Sequence, residues 1–179
     1  MDGVKLLAIL TLLTNFVFVF AGLLFLAARL TIKFKPFWYR VEAYFTTNSL
    51  LFAFIISLTA TFGSLYFSEI RHLEPCKLCW FQRILMYPLT LIIGTAIYKK
   101  LKGVWNYILP ISFLGIGIAA YHYYYQVTGS PLIPCSTVGF SVSCSERFFT
   151  YWGYITIPWM SLSAFTSIFF LMLLNKKSK

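Results

Sequence analysis

Charged side chains are scarce in this sequence. Asp, Glu, Lys and Arg make up 11% of its 179 residues, whereas hydrophobic residues make up 59%. A soluble domain of this size carries about 25% charged residues and about 45–50% apolar ones. The composition therefore excludes an ordinary soluble domain.

Five long stretches contain no Asp, Glu, Lys or Arg. They cover residues 6–28, 43–68, 84–98, 104–125 and 148–174. A membrane-spanning helix needs about 20 mostly apolar residues, and the backbone in lipid must form its hydrogen bonds within the helix. The third stretch is long enough if its helix begins near Cys79 or Trp80 and includes Arg83. We therefore predict five spanning helices in an all-α integral membrane protein.

Histidine is also scarce, with two residues in the whole chain. His122 is the only histidine within a predicted span, which argues against a haem held by two histidines. We predict that His122 lies at the membrane interface rather than binding a metal. We place His72 in an exposed loop and predict no metal site.

The net charge of +10 could suggest nucleic-acid binding, but the positions of the charges argue against it. Ten of the fifteen basic residues lie between the first and second spans, between the third and fourth, or at the C-terminus. With five spans these clusters share one side, and positive loops stay cytoplasmic. We predict an N-terminus outside and a C-terminus in the cytoplasm. The first span is expected to be a retained anchor, because a cleaved signal peptide has a shorter apolar stretch.

The chain has four cysteines, and all of them fall in predicted outer segments. Cys76 and Cys79 form a Cys-x-x-Cys motif between spans two and three, and Cys135 and Cys144 lie between spans four and five. Disulfides persist on this side of the membrane. Four cysteines allow three pairings, and two structural disulfides or a zinc site of four thiolates stay open as alternatives. The Cys-x-x-Cys spacing favours redox chemistry.

The residues around Cys79 strengthen the redox interpretation. Pro75 precedes the motif, and a helix that begins near Cys79 places its thiol where the helix dipole favours a thiolate. Arg83 is four residues further along and shares the same helix face, with Gln82 beside it. An arginine at a membrane boundary either reaches the headgroups or serves a site. We predict that Arg83 stabilises the Cys79 thiolate and that Cys79, Gln82 and Arg83 bind an electron acceptor.

A disulfide that is reoxidised inside a membrane needs an oxidant that is dissolved there. Lipid quinones fit, because they accept two electrons, the number that one dithiol releases. Aromatic side chains lie at the outer boundary, and most of them are expected to form the usual interfacial belt: Trp80, Phe81, Tyr121, Tyr123, Tyr124 and Tyr125.

Two segments resemble a known family. The run EPCKLCWFQR at residues 74–83 resembles the signature of the DsbB family of quinone-dependent membrane thiol oxidases. The run GYITIPWMSL at residues 153–162, with the close pair Cys135 and Cys144, resembles its BdbC-type branch. The resemblance covers residues 49–174. It implies a four-helix transmembrane bundle in a bacterial cytoplasmic membrane.

The resemblance also implies an activity and its partners. Such a protein reoxidises a secreted or membrane-anchored thioredoxin-fold thiol oxidase of the DsbA or BdbD type and passes the electrons to menaquinone or ubiquinone. Cys76 and Cys79 match the pair at the helix mouth, with Cys79 next to the quinone, and Arg83 matches the quinone-binding arginine. Cys135 matches the cysteine that the partner attacks, and Cys144 matches its resolving companion. Electrons would run from the partner to Cys135–Cys144, then to Cys76–Cys79, then to quinone.

Two features depart from the family pattern. Residues 1–42, a first span with a basic cytoplasmic linker, precede the predicted bundle at residues 43–179. Eight residues separate Cys135 from Cys144, which leaves less room for a large loop motion.

Two other functions are kept as alternatives. A reductase of the vitamin K epoxide type shares the bundle, the quinone chemistry and a Cys-x-x-Cys motif, but its loop cysteines precede the motif. A non-enzymatic membrane protein with stapled loops would give Arg83 no role.

Small and polar residues within the spans are assigned to packing. Gly115, Gly117, Ala119 and Ala120 predict a close helix contact in span four. Asn15 and Asn48 are expected to be interhelical or interfacial polar groups.

Overall fold

The computed structural model describes residues 3–30, 35–129 and 143–177, which form six α-helices. In chain order these are α1 (Gly3–Leu30), α2 (Lys35–Thr47), α3 (Ser49–Leu65), α4 (Lys77–Tyr98), α5 (Trp105–Thr128) and α6 (Ile157–Lys177). A π-helical turn, Tyr66–Ile70, continues α3. No β-strand is present in the described residues beyond an isolated bridge between Tyr151 and Ile155.

Four described helices are long and apolar enough to cross a membrane: α1, α3 with its π-helical turn, α4 and α6. The 24 residues of α5 extend about 36 Å at about 1.5 Å per residue, but its tyrosines, His122 and Gln126 make it less apolar. Helix α5 packs along α4 and α6, and α3 packs along the same two helices. These four helices form a bundle, and α1 and α2 lie against α6. The predicted fold, a membrane bundle with an additional N-terminal helix, is confirmed.

The second span begins later than predicted. Residues 43–47 belong to α2, and the spanning helix begins at Ser49. Asn48 lies between the two helices, where its side-chain amide donates to the carbonyl oxygen of Tyr44 at 3.0 Å. The predicted division between an N-terminal anchor and a bundle, at residues 42 and 43, falls within α2 and stays a prediction.

The last span also begins later, at Ile157 rather than at residue 148. Trp152 and Gly153 have φ angles of 49° and 79°, a left-handed conformation that a helix cannot include. The turn is closed by two hydrogen bonds between the backbones of Tyr151 and Ile155, at 2.9 and 3.0 Å. Hydrophobicity alone does not reveal this turn.

Close packing in the bundle depends on Gly115. A Cβ atom placed there would overlap the ring of Phe165, a fully buried residue of α6. Ala119, one turn further along, is also fully buried. The predicted contact is therefore confirmed at Gly115 and Ala119 but is wrong at Gly117, because a Cβ there would meet nothing within 4 Å. It is also wrong at Ala120, which is exposed.

Hydrogen bonds between side chains join the helices at several depths. Ser163 of α6 donates to Asn15 of α1 at 2.9 Å, which confirms Asn15 as an interhelical group. The hydroxyl groups of Thr61 and Thr90 are 2.9 Å apart between α3 and α4. Such bonds contribute about 0.6 kcal/mol each on average in membrane proteins. They fix the register of helices that apolar packing holds together.

Candidate active site

Cys76 caps the N-terminus of α4. Its backbone is extended, with φ −68° and ψ 168°, and its Sγ accepts a hydrogen bond from the backbone N–H of Cys79 at 3.4 Å. The sulfur thus has the position that a Ser or Asp oxygen takes at most helix starts. It also lies at the positive end of the helix dipole.

The two thiols of the Cys-x-x-Cys motif are free, and their Sγ atoms are 3.3 Å apart. A hydrogen bond from the Cys79 thiol lowers the pKa of Cys76 from 9.0 to about 4; burial opposes this shift, and contact with His122 adds to it. The helix N–H and His122 both contact Cys76, and these contacts favour a thiolate there when the pair is reduced. That Arg83 stabilises a thiolate at Cys79 stays a prediction.

His122 joins the motif from α5. It is 2% exposed, its Nε2 lies 3.6 Å from Cys76 Sγ, and its Nδ1 lies 3.0 Å from Gln82 Nε2. An amide nitrogen only donates, so Nδ1 accepts, and a neutral ring carries its proton on Nε2, facing the sulfur. His122 is thus a buried part of the site, and the prediction of an interfacial histidine is wrong. His72 is exposed, as predicted.

The donor atoms of Cys76, Cys79 and His122 lie within 4.8 Å of one another, a grouping that could hold a metal ion. Among the described residues this group supplies three donors, whereas a structural zinc site has four. Cys144 is disulfide-bonded, so the four-thiolate alternative is not formed in this structure. Cys76 and Cys79 are free thiols, so two structural disulfides are not formed in this structure either. The absence of a metal cofactor stays a prediction.

The second cysteine segment lies directly against the first. Cys144 is 1% exposed and forms one buried cluster with Cys76 and Tyr125. Cys135, the cysteine predicted to react with a partner, lies outside the described residues. The structure thus brings together the three cysteines that it describes.

Arg147 fastens the segment that carries Cys144 to the end of α5. Its guanidinium donates two hydrogen bonds to the carbonyl oxygen of Gln126, at 2.7 and 3.1 Å. The side-chain amide of Gln126 donates in return to the carbonyl oxygen of Glu146 at 2.9 Å. A positive charge is favourable at the C-terminus of a helix. These contacts hold Cys144 close to the motif.

Arg83 lies one turn along α4 from Cys79. Its Nη2 donates to the carbonyl oxygen of Ser64 at 3.1 Å, and its guanidinium carbon lies 5.5 Å from the ring centre of Trp80. Ser64 precedes the point where α3 passes into the π-helical turn, and such turns are frequent at functional sites. A guanidinium has five N–H donors, and this bond uses one.

A cavity of about 520 Å³ opens beside the motif. Cys79, Gln82 and Arg83 line one end, and most of the remaining lining is apolar. Pockets for small ligands are commonly about 300–1,000 Å³ in volume. Cys79 also lines the small pocket that contains Cys76 and Cys144. Cys79 therefore lies between the cavity and the buried cysteines.

Sequence reasoning missed three residues of this site: His122, Tyr125 and Gln126. They occupy one face of α5 at spacings of three and four residues, and all are buried. The sequence does place a polar residue, Gln126, four positions after His122 in an apolar helix, which is the spacing of residues that share a helix face. The tyrosines around them instead favoured the interpretation of this region as an interfacial belt.

These features define a helical membrane protein with a buried thiol–disulfide centre. Comparison with known proteins agrees: the family described as "Disulfide bond formation protein DsbB" matches residues 46–175. The chain is 45% identical over 129 residues to "Disulfide bond formation protein C" of Bacillus subtilis (strain 168), covering 71% of this chain and 91% of that protein.

Two further relatives are similarly close. Identity is 44% over 112 residues with "Probable disulfide formation protein C 1" of Bacillus cereus (strain ATCC 10987 / NRS 248), covering 63% of this chain and 80% of that protein. Identity is 41% over 118 residues with "Probable disulfide formation protein" of Coxiella burnetii (strain RSA 493 / Nine Mile phase I), covering 65% of this chain and 79% of that protein. No solved structure matches the chain. The chain belongs to the DsbB family and is a membrane oxidoreductase that forms disulfide bonds.

Proposed function

We propose that the protein oxidises the dithiol of an extracytoplasmic thioredoxin-fold protein, of the DsbA or BdbD type, and passes the two electrons to a membrane quinone. The position of Cys79 carries this proposal, because it lines both the apolar cavity and the pocket that holds Cys76 and Cys144. Electrons that enter at the loop cysteines can reach the cavity through one adjacent pair of sulfur atoms.

The first exchange takes place at Cys135 and Cys144. A thiolate of the partner attacks Cys135, and Cys144 leaves as a thiolate. The second thiol of the partner then displaces Cys135. The partner is oxidised to a disulfide, and Cys135 and Cys144 are reduced.

The second exchange passes the same two electrons to a Cys76–Cys79 disulfide. Cys144 shares a buried cluster with Cys76, so Cys144 attacks Cys76, and Cys79 leaves as a thiolate. Cys135 then displaces Cys76 from Cys144 and restores the loop disulfide. The products are a Cys76–Cys79 dithiol and a disulfide between Cys135 and Cys144.

The cavity suits a lipid quinone, which has a flat head with two carbonyl oxygen atoms and an apolar tail. When bound, a quinone would accept two electrons from the Cys76–Cys79 pair, together with two protons. Cys79 contributes the sulfur that lines the cavity, and Arg83 offers charge-assisted hydrogen bonds to a carbonyl oxygen. Gln82 lines the same end and also holds His122. Both menaquinone and ubiquinone meet these requirements.

His122 is in position to stabilise Cys76 as a thiolate. Its Nε2 lies 3.6 Å from Cys76 Sγ, so the Nε2–H can donate a hydrogen bond to the thiolate that forms when the Cys76–Cys79 disulfide is reduced. If the ring becomes protonated, the amide of Gln82 can turn to present its oxygen to Nδ1–H. Gln82 thus has two proposed roles: it orients His122, and it lines the cavity that would bind the quinone.

The proposed location is a bacterial cytoplasmic membrane, with the cysteine end of the bundle outside. The basic residues Lys99, Lys100 and Lys102 lie at the opposite end of α4 from the motif, as expected if that end is cytoplasmic. This orientation places the N-terminus of α1 outside and the C-terminus of α6 inside.

The activity can be tested with purified protein in lipid nanodiscs, a reduced thioredoxin-fold partner and a quinone under anaerobic conditions. We expect one quinone to be reduced for each partner disulfide formed. Cys144→Ser should abolish turnover with the protein partner but leave oxidation of a small dithiol, which can enter the cavity and attack Cys79. Partner oxidation without quinone reduction would contradict the proposal.

A further inference from the structure

A long apolar groove separates α1 and α2 from the four-helix bundle. It is the same cavity of about 520 Å³ that begins at Cys79 and Arg83. Helices α1 and α2 line one side, and α3, α4 and α6 line the other. The family match begins at residue 46, so the wall formed by α1 and α2 lies outside the matched region.

The groove extends through most of the depth of a membrane. Its lining on α6 reaches from Ile157 to Leu174, a separation of seventeen residues, or about 26 Å along the helix axis. The hydrocarbon layer of a bilayer is about 30 Å thick. At its far end the groove reaches Phe45 and Phe52, close to the predicted cytoplasmic face.

The threonine hydroxyl groups of α1 that line the groove are not available as hydrogen-bond donors to a ligand. Thr11 and Thr14 line the groove, but their hydroxyl groups donate to the carbonyl oxygen atoms one turn earlier in α1, at 2.9 and 2.8 Å. Leu10 and Val17 supply apolar surface beside them. We therefore expect the part of a ligand that lies against α1 to be apolar.

Helix α1 is attached to the bundle along this groove. Near its start, Leu7 lies against Gly63 of α3, where a Cβ atom would be 3.1 Å from the leucine side chain. Further along, Asn15 accepts the hydrogen bond from Ser163, and the rings of Phe18 and Phe170 are 5.9 Å apart. These contacts make α1 a fixed wall rather than a loosely associated anchor.

We propose that α1 and α2 enclose the isoprenoid tail of the quinone whose head is reduced at Cys79. The inference rests on the proposed function and adds a role for the N-terminal segment. The groove is continuous with the reactive sulfur, so one molecule with a polar head and a long apolar tail can occupy both. A phospholipid acyl chain could also fill an apolar groove, and the experiments below distinguish it.

Cross-linking tests the position of the tail directly in the wild-type protein. The probe is a quinone with a photoreactive diazirine at the end of its isoprenoid tail, bound to protein in nanodiscs. Peptide mapping should locate cross-links on α1 or α2, and excess unlabelled long-tailed quinone should suppress them. Cross-links confined to other helices, or unaffected by that competitor, would overturn the proposal.

A matched pair of variants tests the groove by affinity. Val17 and Val19 are similarly exposed, at 50% and 62%, but only Val17 lines the groove. Val17→Trp should raise the Kd of a long-tailed quinone by at least roughly tenfold, since it removes space for several methylene groups. The Kd of a tailless quinone should not change. Val19→Trp should leave both constants at their wild-type values.

The remaining outcomes separate this inference from the proposed function. If wild-type protein reduces tailed and tailless quinones but Val17→Trp weakens the binding of neither quinone, the tail does not lie along α1. If a phospholipid is retained after purification and long-tailed quinone does not displace it, the groove belongs to the lipid. If no quinone is reduced at all, the proposed function itself fails.

Discussion

His122 Nε2 lies 3.6 Å from Cys76 Sγ, at a contact between α5 and the start of α4. This contact connects the motif to a helix far away in sequence. Gln82 orients the ring from its other side, at 3.0 Å. Because α5 also ends in the contacts that hold Cys144, one helix organises both cysteine segments.

The first prediction concerns the pH dependence of Cys76. Its pKa of about 4, against an ordinary 9.0, means that the thiolate is present above about pH 4 and is lost as the pH falls through that value. His122→Ala should raise this pKa, and Cys79→Ala should raise it further, because the Cys79 hydrogen bond is the largest cause of the shift. Thiolate ultraviolet absorbance, measured in a background with Cys135→Ser and Cys144→Ser, reports the change.

His72→Ala is the matched control for this titration. His72 is exposed in the loop before the motif, so its removal should leave the curve unchanged. If His122→Ala and His72→Ala titrate identically, the contact with His122 does not stabilise the thiolate.

The second prediction concerns Arg147. Its bonds to the carbonyl oxygen of Gln126 hold the segment that carries Cys144 against α5. Arg147→Ala should slow exchange between the two cysteine pairs by roughly tenfold, the effect expected when charged hydrogen bonds are lost. Oxidation of a small dithiol at Cys76–Cys79 should continue at the wild-type rate. Stopped-flow assays with each reductant measure both steps, with Arg71→Ala as an exposed control.

The third prediction compares two glycines of α5. Gly115→Ala should destabilise the protein by about 1–3 kcal/mol, the usual cost of overpacking, because its Cβ would overlap Phe165. Gly117→Ala should be neutral or stabilise by up to about 1 kcal/mol, since alanine favours a helix and the space is open. Unfolding in detergent gives both values. Equal destabilisation would contradict the packing described for α5 and α6.

The fourth prediction concerns Arg83. Arg83→Ala should raise the KM for quinone by roughly 10- to 100-fold, because it removes a charged hydrogen-bond donor from the cavity. A modest loss of stability should accompany it, since the bond to Ser64 is also lost. Arg83→Lys keeps the positive charge, so its KM for quinone should lie between those of the wild type and Arg83→Ala. If Arg83→Ala alters stability alone and leaves quinone kinetics unchanged, Arg83 has only the structural role.

Much of the fold follows from the sequence because uncharged runs of membrane-spanning length allow few structures. The start of α4 at Lys77, just after Cys76, was predictable to within a few residues from Pro75 and the motif. The starts of α3 and α6 were not, because apolar aromatic segments continue beyond them. Backbone turns such as the one at Trp152 and Gly153 leave no mark on hydrophobicity.

The site was predicted less completely than the fold. Local sequence places Cys79, Gln82 and Arg83 on one helix, so their shared cavity could be anticipated. His122 comes from a different helix, and only the packing of α5 on α4 brings it to Cys76. That packing adds His122 to the contacts of Cys76, which helix periodicity within α4 could not reveal.

Single-turnover quinone reduction tests most directly whether Cys79 connects the buried cysteines to the cavity. Reduced protein with Cys135→Ser and Cys144→Ser is mixed anaerobically with one equivalent of quinone, and thiol loss and quinone absorbance are followed together. We predict that this protein loses two thiols for each quinone reduced, and that adding Cys79→Ser abolishes both changes while the fold is retained. Quinone reduction at the full rate in the variant without Cys79 would contradict the account.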